Sequence, residues 1–225
     1  MSSSVKFAVF DCDGTLVDSQ HSIGAGMDYA WLQEGITAPS RLDIKRQVGL
    51  PLVEAIANLL PNGNPAQYQR MAESYRDSFN KAAINLVNEE PLFPGCIEIL
   101  DQLRAEDVIL GVATGKGHQG LRSTIKRHGL DGYFEVLKTA DDGPGKPNPR
   151  ILLDAMIEVG ASPENTIMIG DTTFDITTAV NAEVASLGVS WGYHETEELL
   201  NAGAAMVIDF YHELPTALAK IWEGR

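Results

Sequence analysis

Two aspartates, Asp11 and Asp13, stand one residue apart in "FAVFDCDGTLVDS", after an apolar run and before a glycine. Carboxylates this close repel one another, and burying either is costly without a compensating cation. Further polar residues recur in similar settings: Thr114 after "VILGVA", Lys146 in "GPGKPNP", Asp171 after "TIMIG", and Asp175 a helical turn later. Several carboxylates with no His or Cys among them favour a hard, oxygen-loving ion such as Mg²⁺. Lys146 and Thr114 add a positive charge and a hydroxyl donor, which suit phosphate oxygens. A carboxylate facing a metal-bound phosphoryl group can act as nucleophile. A second carboxyl, held protonated, can give its proton to the leaving oxygen and later take one from water. Each signal alone also has a structural reading. Asp-X-Asp-Gly is ordinary turn composition, a lysine between Gly and Pro suits an exposed loop, and Asp171 and Thr172 are good helix caps. Their order along the chain favours one shared site.

Such a site needs elements that bring distant residues together. Val5 to Phe10 reads as a short buried strand. From about His21 to Val87 the pattern is helical: "HSIGAGMDYAWLQEG" ended by Gly35, "PLVEAIANLLPNG" started by Pro51, and a long "AQYQRMAESYRDSFNKAAINLV". Tyr29, Trp31, Tyr75 and Phe79 fall at helical spacing and read as the core of this block. After "EEPLFPG", helices alternate with strands at "VILGVAT", "YFEVLKTA", "TIMIG", "VASLGV" and "AAMVID", with "YHELPTALAKIWE" as a closing helix. That alternation predicts βαβ units and a doubly wound, Rossmann-like parallel sheet of the α/β class. The helical block then interrupts one sheet domain, giving a core of residues 1–18 and 91–225 and an insert of 19–90. In an open parallel sheet ligands bind at the carboxyl ends of the strands, where all the residues above fall.

The bulk composition agrees. The chain has 225 residues, 44% of them hydrophobic, and a formal net charge of −14. Such a surface repels nucleic acid on average. The two cysteines, Cys12 and Cys96, imply no disulfide framework and read as core residues. The five histidines show no metal-ligand spacing. No secretory or membrane-spanning pattern is visible, so a cytoplasmic protein without a membrane partner is expected. The sequence leaves the oligomeric state open.

In order, "DCDGTLVDS", "VATG", "GKPNP" and "GDTTFD" resemble the four motifs of the haloacid dehalogenase superfamily, and more narrowly its phosphatases with a helical cap after the first strand, such as phosphoglycolate phosphatase. The resemblance implies that Asp11 is the nucleophile and a Mg²⁺ ligand. It implies that Asp13 is the general acid/base and lends its backbone carbonyl to the metal. Thr114, Gly115 and Lys146 would hold the phosphoryl group. Asp171 would bind Mg²⁺, and Asp175 would support that site directly or through water. An aspartate at the position of Asp13 points to a phosphate ester as substrate, and the expected partner is a small phosphorylated metabolite. Ser19–Gln20 and Glu89–Glu90 would bracket the cap and act as its hinge. The loop "RQVGLPL" has two readings: it reaches down to the substrate, with Gly49 allowing close approach and Arg46 meeting a second anionic group, or it is a simple helix–helix turn with Arg46 solvated. A β-phosphoglucomutase-like mutase is the alternative on the same motifs. A more distant competitor is a dinucleotide-binding oxidoreductase, since Gly115, Gly117 and Gly120 fit G-x-G-x-x-G between a strand and a helix.

Overall fold

The computed structural model describes residues 5–79 and 90–224. Six parallel strands form one sheet in the order β3-β2-β1-β4-β5-β6. They are β1 Phe7–Phe10, β2 Ile109–Ala113, β3 Val136–Lys138, β4 Thr166–Gly170, β5 Ala185–Val189 and β6 Met206–Ile208. β1 is central: Phe7 pairs with Ile109 on one side and with Thr166 on the other. Every β1 residue is buried, which is why the strand reads as a continuous apolar run.

Side chains alternate across this sheet with the period of a strand. Ala8, Phe10 and Cys12 pack on one face, against Leu100 and Leu103 of α5 (Cys96–Ala105), Leu121 of α6 (His118–Arg127) and Leu218 of α10 (Leu214–Glu223). Phe7 and Val9 pack on the other, against Ile151 and Leu152 of α7 (Arg150–Val159) and Ala179 of α8 (Thr173–Asn181). The sheet is therefore covered on both faces, as a doubly wound fold requires. Cys12 belongs to the packing, as its alternation with Asp11 and Asp13 predicts.

Between β1 and α5 lie α1 (Gln20–Gln33), α2 (Arg41–Lys45), α3 (Leu52–Leu59) and α4 (Pro65–Ser78). They share a core of their own built on Met27, Trp31, Ile56 and Met71. The part of the long helical pattern beyond Phe79 lies outside the described residues, as does Glu89. The two chain crossings run side by side: Asp18 N–H donates to the Pro91 carbonyl at 2.8 Å, and Ser22 Oγ donates to Glu90 Oε1 at 2.5 Å.

Two helices escaped the sequence reading. α2 has only five residues, too few to show a period, though Ser40 caps it. α9 (Thr196–Ala202) starts with a capping box between Glu195 and Glu198, a signal that acidic residues less commonly carry. Among the described residues no helix is long and apolar enough to cross a membrane.

Candidate active site

The strand order reverses between β1 and β4, and that is where a doubly wound sheet opens a crevice at its carboxyl edge. Asp11 follows β1 and Asp171 follows β4, so adjacent strands deliver both carboxylates to that crevice. Asp11 N–H donates to the Ile169 carbonyl at 2.9 Å, which continues the strand pairing by one residue and fixes its backbone. Asp175 stands in the first turn of α8, where its carboxylate accepts from Thr172 N–H at 3.0 Å in a capping box. Asp11, Asp171 and Asp175 are all buried, and one carboxylate oxygen from each lies within 4.8 Å of the others.

Lys146 opposes this cluster. Its ammonium is fully buried and donates to Asp11 Oδ1 at 2.7 Å and to Asp175 Oδ1. Burial works against its charge, but the attraction of Asp11 and Asp175 outweighs it and raises its pKa. The carboxylates remain in excess. Burial, partly offset by Lys146 and reinforced by Asp175, pushes Asp11 up to about 6. Burial, then Asp175 and Asp11, push Asp171 up as well. Asp171 is held by Thr15 Oγ1 at 2.8 Å and Tyr193 N–H at 2.9 Å. An all-oxygen, net-negative, buried set fits a hard divalent cation, whose charge would reverse these shifts.

Replacing Lys146 by Met should therefore lower the unfolding free energy by about 3–5 kcal/mol, the usual cost of stranding buried charge. Urea titration at neutral pH would read it. The loss should shrink as pH falls and the stranded carboxylates take up protons. A Met variant as stable as the parent would mean that water, not Lys146, balances the cluster.

Asp11, Asp13, Thr114 and Gly115 line a chamber of about 450 Å³ between the sheet edge and helices α1–α4. The loop carrying Gly49 and Leu50 forms part of its roof. Gly49 has φ +102°, a left-handed conformation that favours glycine, and a Cβ on Gly115 would lie 2.6 Å from the Gly49 carbonyl oxygen. Gly49 is thus required by its backbone conformation, and Gly115 by the close approach of the helical loop to the strand end. Thr114 is buried, and its hydroxyl accepts from Lys116 N–H at 3.2 Å.

Lys116 is the site residue that sequence reasoning passed over. Its ammonium pairs with Asp13 Oδ1 at 2.6 Å and lines the chamber. Glu90, bonded to Ser22 and paired with Arg127 at 3.2 Å, also lines it. The signal was present, since Lys116 follows "VATG", but it was absorbed into the glycine fingerprint.

Arg46 does not line the chamber. It caps the C-terminus of α2, and its guanidinium, 56% exposed, sits 3.5 Å from Glu198 of α9. Glu198 lies on one of the two helices that the sequence pattern did not reveal. The glycine fingerprint is no dinucleotide site either. At the start of α6, where a pyrophosphate would bind, Asp141 already accepts from His118 N–H at 2.7 Å.

Residues 8–189 match the family described as haloacid dehalogenase-like hydrolase. A curated relative from Dickeya dadantii, named "Probable phosphatase IndB", is 32% identical over 92% of this chain and 90% of its own. The phosphoglycolate phosphatase of Agrobacterium fabrum is 29% identical, covering 94% of this chain and 91% of its own. A solved structure titled a predicted phosphatase from Clostridium acetobutylicum superposes with a TM-score of 0.86 at 25% identity, covering 97% of this chain and 100% of its own.

Proposed function

Because this chain belongs to the haloacid dehalogenase-like hydrolases and is a phosphoric monoester hydrolase, we propose that it cleaves a small phosphomonoester metabolite through a phosphoenzyme on Asp11, with Mg²⁺ as cofactor. The observation that carries this reading is the buried cluster of Asp11, Asp171 and Asp175, with Lys146 paired to Asp11 and Asp175, beneath a chamber that Asp11 lines. Asp11, Asp171 and Asp175 would hold the metal, with the Asp13 carbonyl as a further oxygen. Bound there, Mg²⁺ would supply Lewis-acid stabilisation of charge on the phosphoryl oxygens.

The chain's own residues do the rest. Lys146 and the Thr114 hydroxyl orient the phosphoryl group, and Lys146 draws negative charge off the Asp11 environment. An Asp11 oxygen bonds to phosphorus as the bond to the leaving oxygen breaks, and Asp13 gives its proton to that oxygen. Water then attacks phosphorus, Asp13 takes its proton and is again a carboxylic acid, and the bond to Asp11 breaks to free inorganic phosphate and the Asp11 carboxylate. Asp13 must exchange Lys116 for the leaving oxygen, and its place in the same chamber supports that exchange. Helices α1–α4 act as a cap that hinges where the chain crosses at Asp18 and Pro91 and excludes bulk water.

Replacing Asp13 by Ala tests the assignment. It should lower kcat by about 10²–10⁴-fold on alkyl phosphates, whose leaving oxygen needs a proton. The loss should be much smaller on para-nitrophenyl phosphate, whose leaving group departs as the anion. Equal losses on both would remove Asp13 as the general acid. A mutase working by the same motifs would convert a sugar phosphate without accumulating inorganic phosphate, so measuring phosphate release separates the two.

A further inference from the structure

The chamber has two unlike halves. Its floor carries Asp11, Asp13, Thr114 and Lys116. Its helical side is built from Ile23 and Met27 of α1, Val48, Leu50, Val53 of α3 and Phe79 after α4. The cations in the lining are largely engaged already. Lys116 is 2.6 Å from Asp13, and Arg127 is 3.2 Å from the buried Glu90. Arg76, the third among the described residues, is an exposed residue of α4. A second anionic group pressed against the apolar side would lose its hydration without gaining a buried partner. A methylene or ring in the same place gains from leaving water. At about 450 Å³ the chamber is also larger than a two-carbon leaving group would fill.

We propose that the preferred substrate is a phosphomonoester whose leaving group is uncharged and largely apolar on the side that meets Met27, Val53 and Phe79, rather than one carrying a carboxylate or a second phosphate. This rests on the phosphatase reading above and adds the class of leaving group to it. The discrimination lies in the helical segment: the floor recognises the phosphoryl group of any ester, and the apolar side sorts what is attached to it. Since the leaving group is buried before phosphorus–oxygen cleavage, the gain should appear in kcat/KM.

Unactivated straight-chain alkyl phosphates test this without confounding leaving-group chemistry, because ethyl, n-propyl, n-butyl and n-pentyl phosphate differ only in methylenes. Phosphate release by the full chain with Mg²⁺ should give kcat/KM rising about fourfold per methylene, which is the value of burying one CH₂. The n-butyl ester should exceed phosphoglycolate, whose leaving oxygen is likewise an alkoxide. Val53→Lys, at a partly exposed position where folding tolerates the change, should flatten the slope by penalising n-pentyl phosphate more than ethyl phosphate. A flat series, or phosphoglycolate outperforming n-butyl phosphate, would overturn the proposal while leaving the phosphatase reading intact. An unchanged slope in Val53→Lys, with its fold verified by circular dichroism, would also overturn it. Absence of phosphate release from every ester, para-nitrophenyl phosphate included, would overturn the phosphatase reading, and this proposal with it.

Discussion

Asp11→Asn is expected to lower kcat by at least about three powers of ten. The amide keeps the volume of the side chain and an oxygen for Lys146 Nζ, which sits 2.7 Å from Asp11 Oδ1. What it loses is the anionic oxygen that must bond to phosphorus. The loss should not reflect unfolding, and the pKa gives the sign. In the metal-free fold Asp11 titrates at about 6, against an ordinary value of 3.8. The folded chain therefore binds this proton more tightly than the unfolded one. Stability from this group is present in full below about 3.8 and is lost as pH rises towards about 6. At neutral pH the ionised carboxylate is the penalised state, and an uncharged amide avoids the penalty. The variant should thus melt no lower than the parent in the absence of metal. Acid quenching during turnover should trap phosphate on Asp11 in the parent and none in the variant. Trapping it on another residue, or near-parental turnover by the variant, would falsify the covalent role of Asp11.

Removing divalent metal should have the second largest effect. With EDTA, kcat should fall below about one per cent of its Mg²⁺ value, and added Mg²⁺ should restore it. Ca²⁺ should bind and support turnover poorly, because its larger and looser oxygen shell does not keep the octahedral geometry of Mg²⁺. A readout independent of catalysis follows from linkage: Mg²⁺ at about a hundred times its Kd should stabilise the fold by about 2.7 kcal/mol, visible as a higher Tm. Binding requires Asp11 and Asp171 ionised, and burial raises both pKa values. Calorimetric affinity should therefore weaken as pH falls through about 6, by about tenfold per unit or more. Full turnover after exhaustive chelation, or a Kd indifferent to pH across that window, would contradict a metal held by these carboxylates.

The sequence alone determined the framework and the floor of the site. The apolar run Phe7–Phe10, the alternation of strands and helices after Cys96, and the placement of Asp11, Thr114 and Asp171 just beyond strand ends are local or periodic properties. They are legible because a buried parallel strand must be apolar throughout and its carboxyl end is where the chain meets solvent or ligand. Tertiary structure decided the partners. Lys116 and Asp13 lie 103 positions apart, and no local pattern marks the pair. The reach of Lys146 to both Asp11 and Asp175 likewise exists only because strand order reverses between β1 and β4. Arg46 had the right chemistry and the right loop, yet its direction depended on Glu198, 152 positions away, on a helix that sequence periodicity did not reveal. Which loop glycine must be glycine was also a tertiary matter, settled at Gly115 by the Gly49 carbonyl above it. Periodicity and turn chemistry act between near neighbours in the chain. Ion pairing and the apolar side of the chamber act between segments that only the completed sheet and the helices above it bring together.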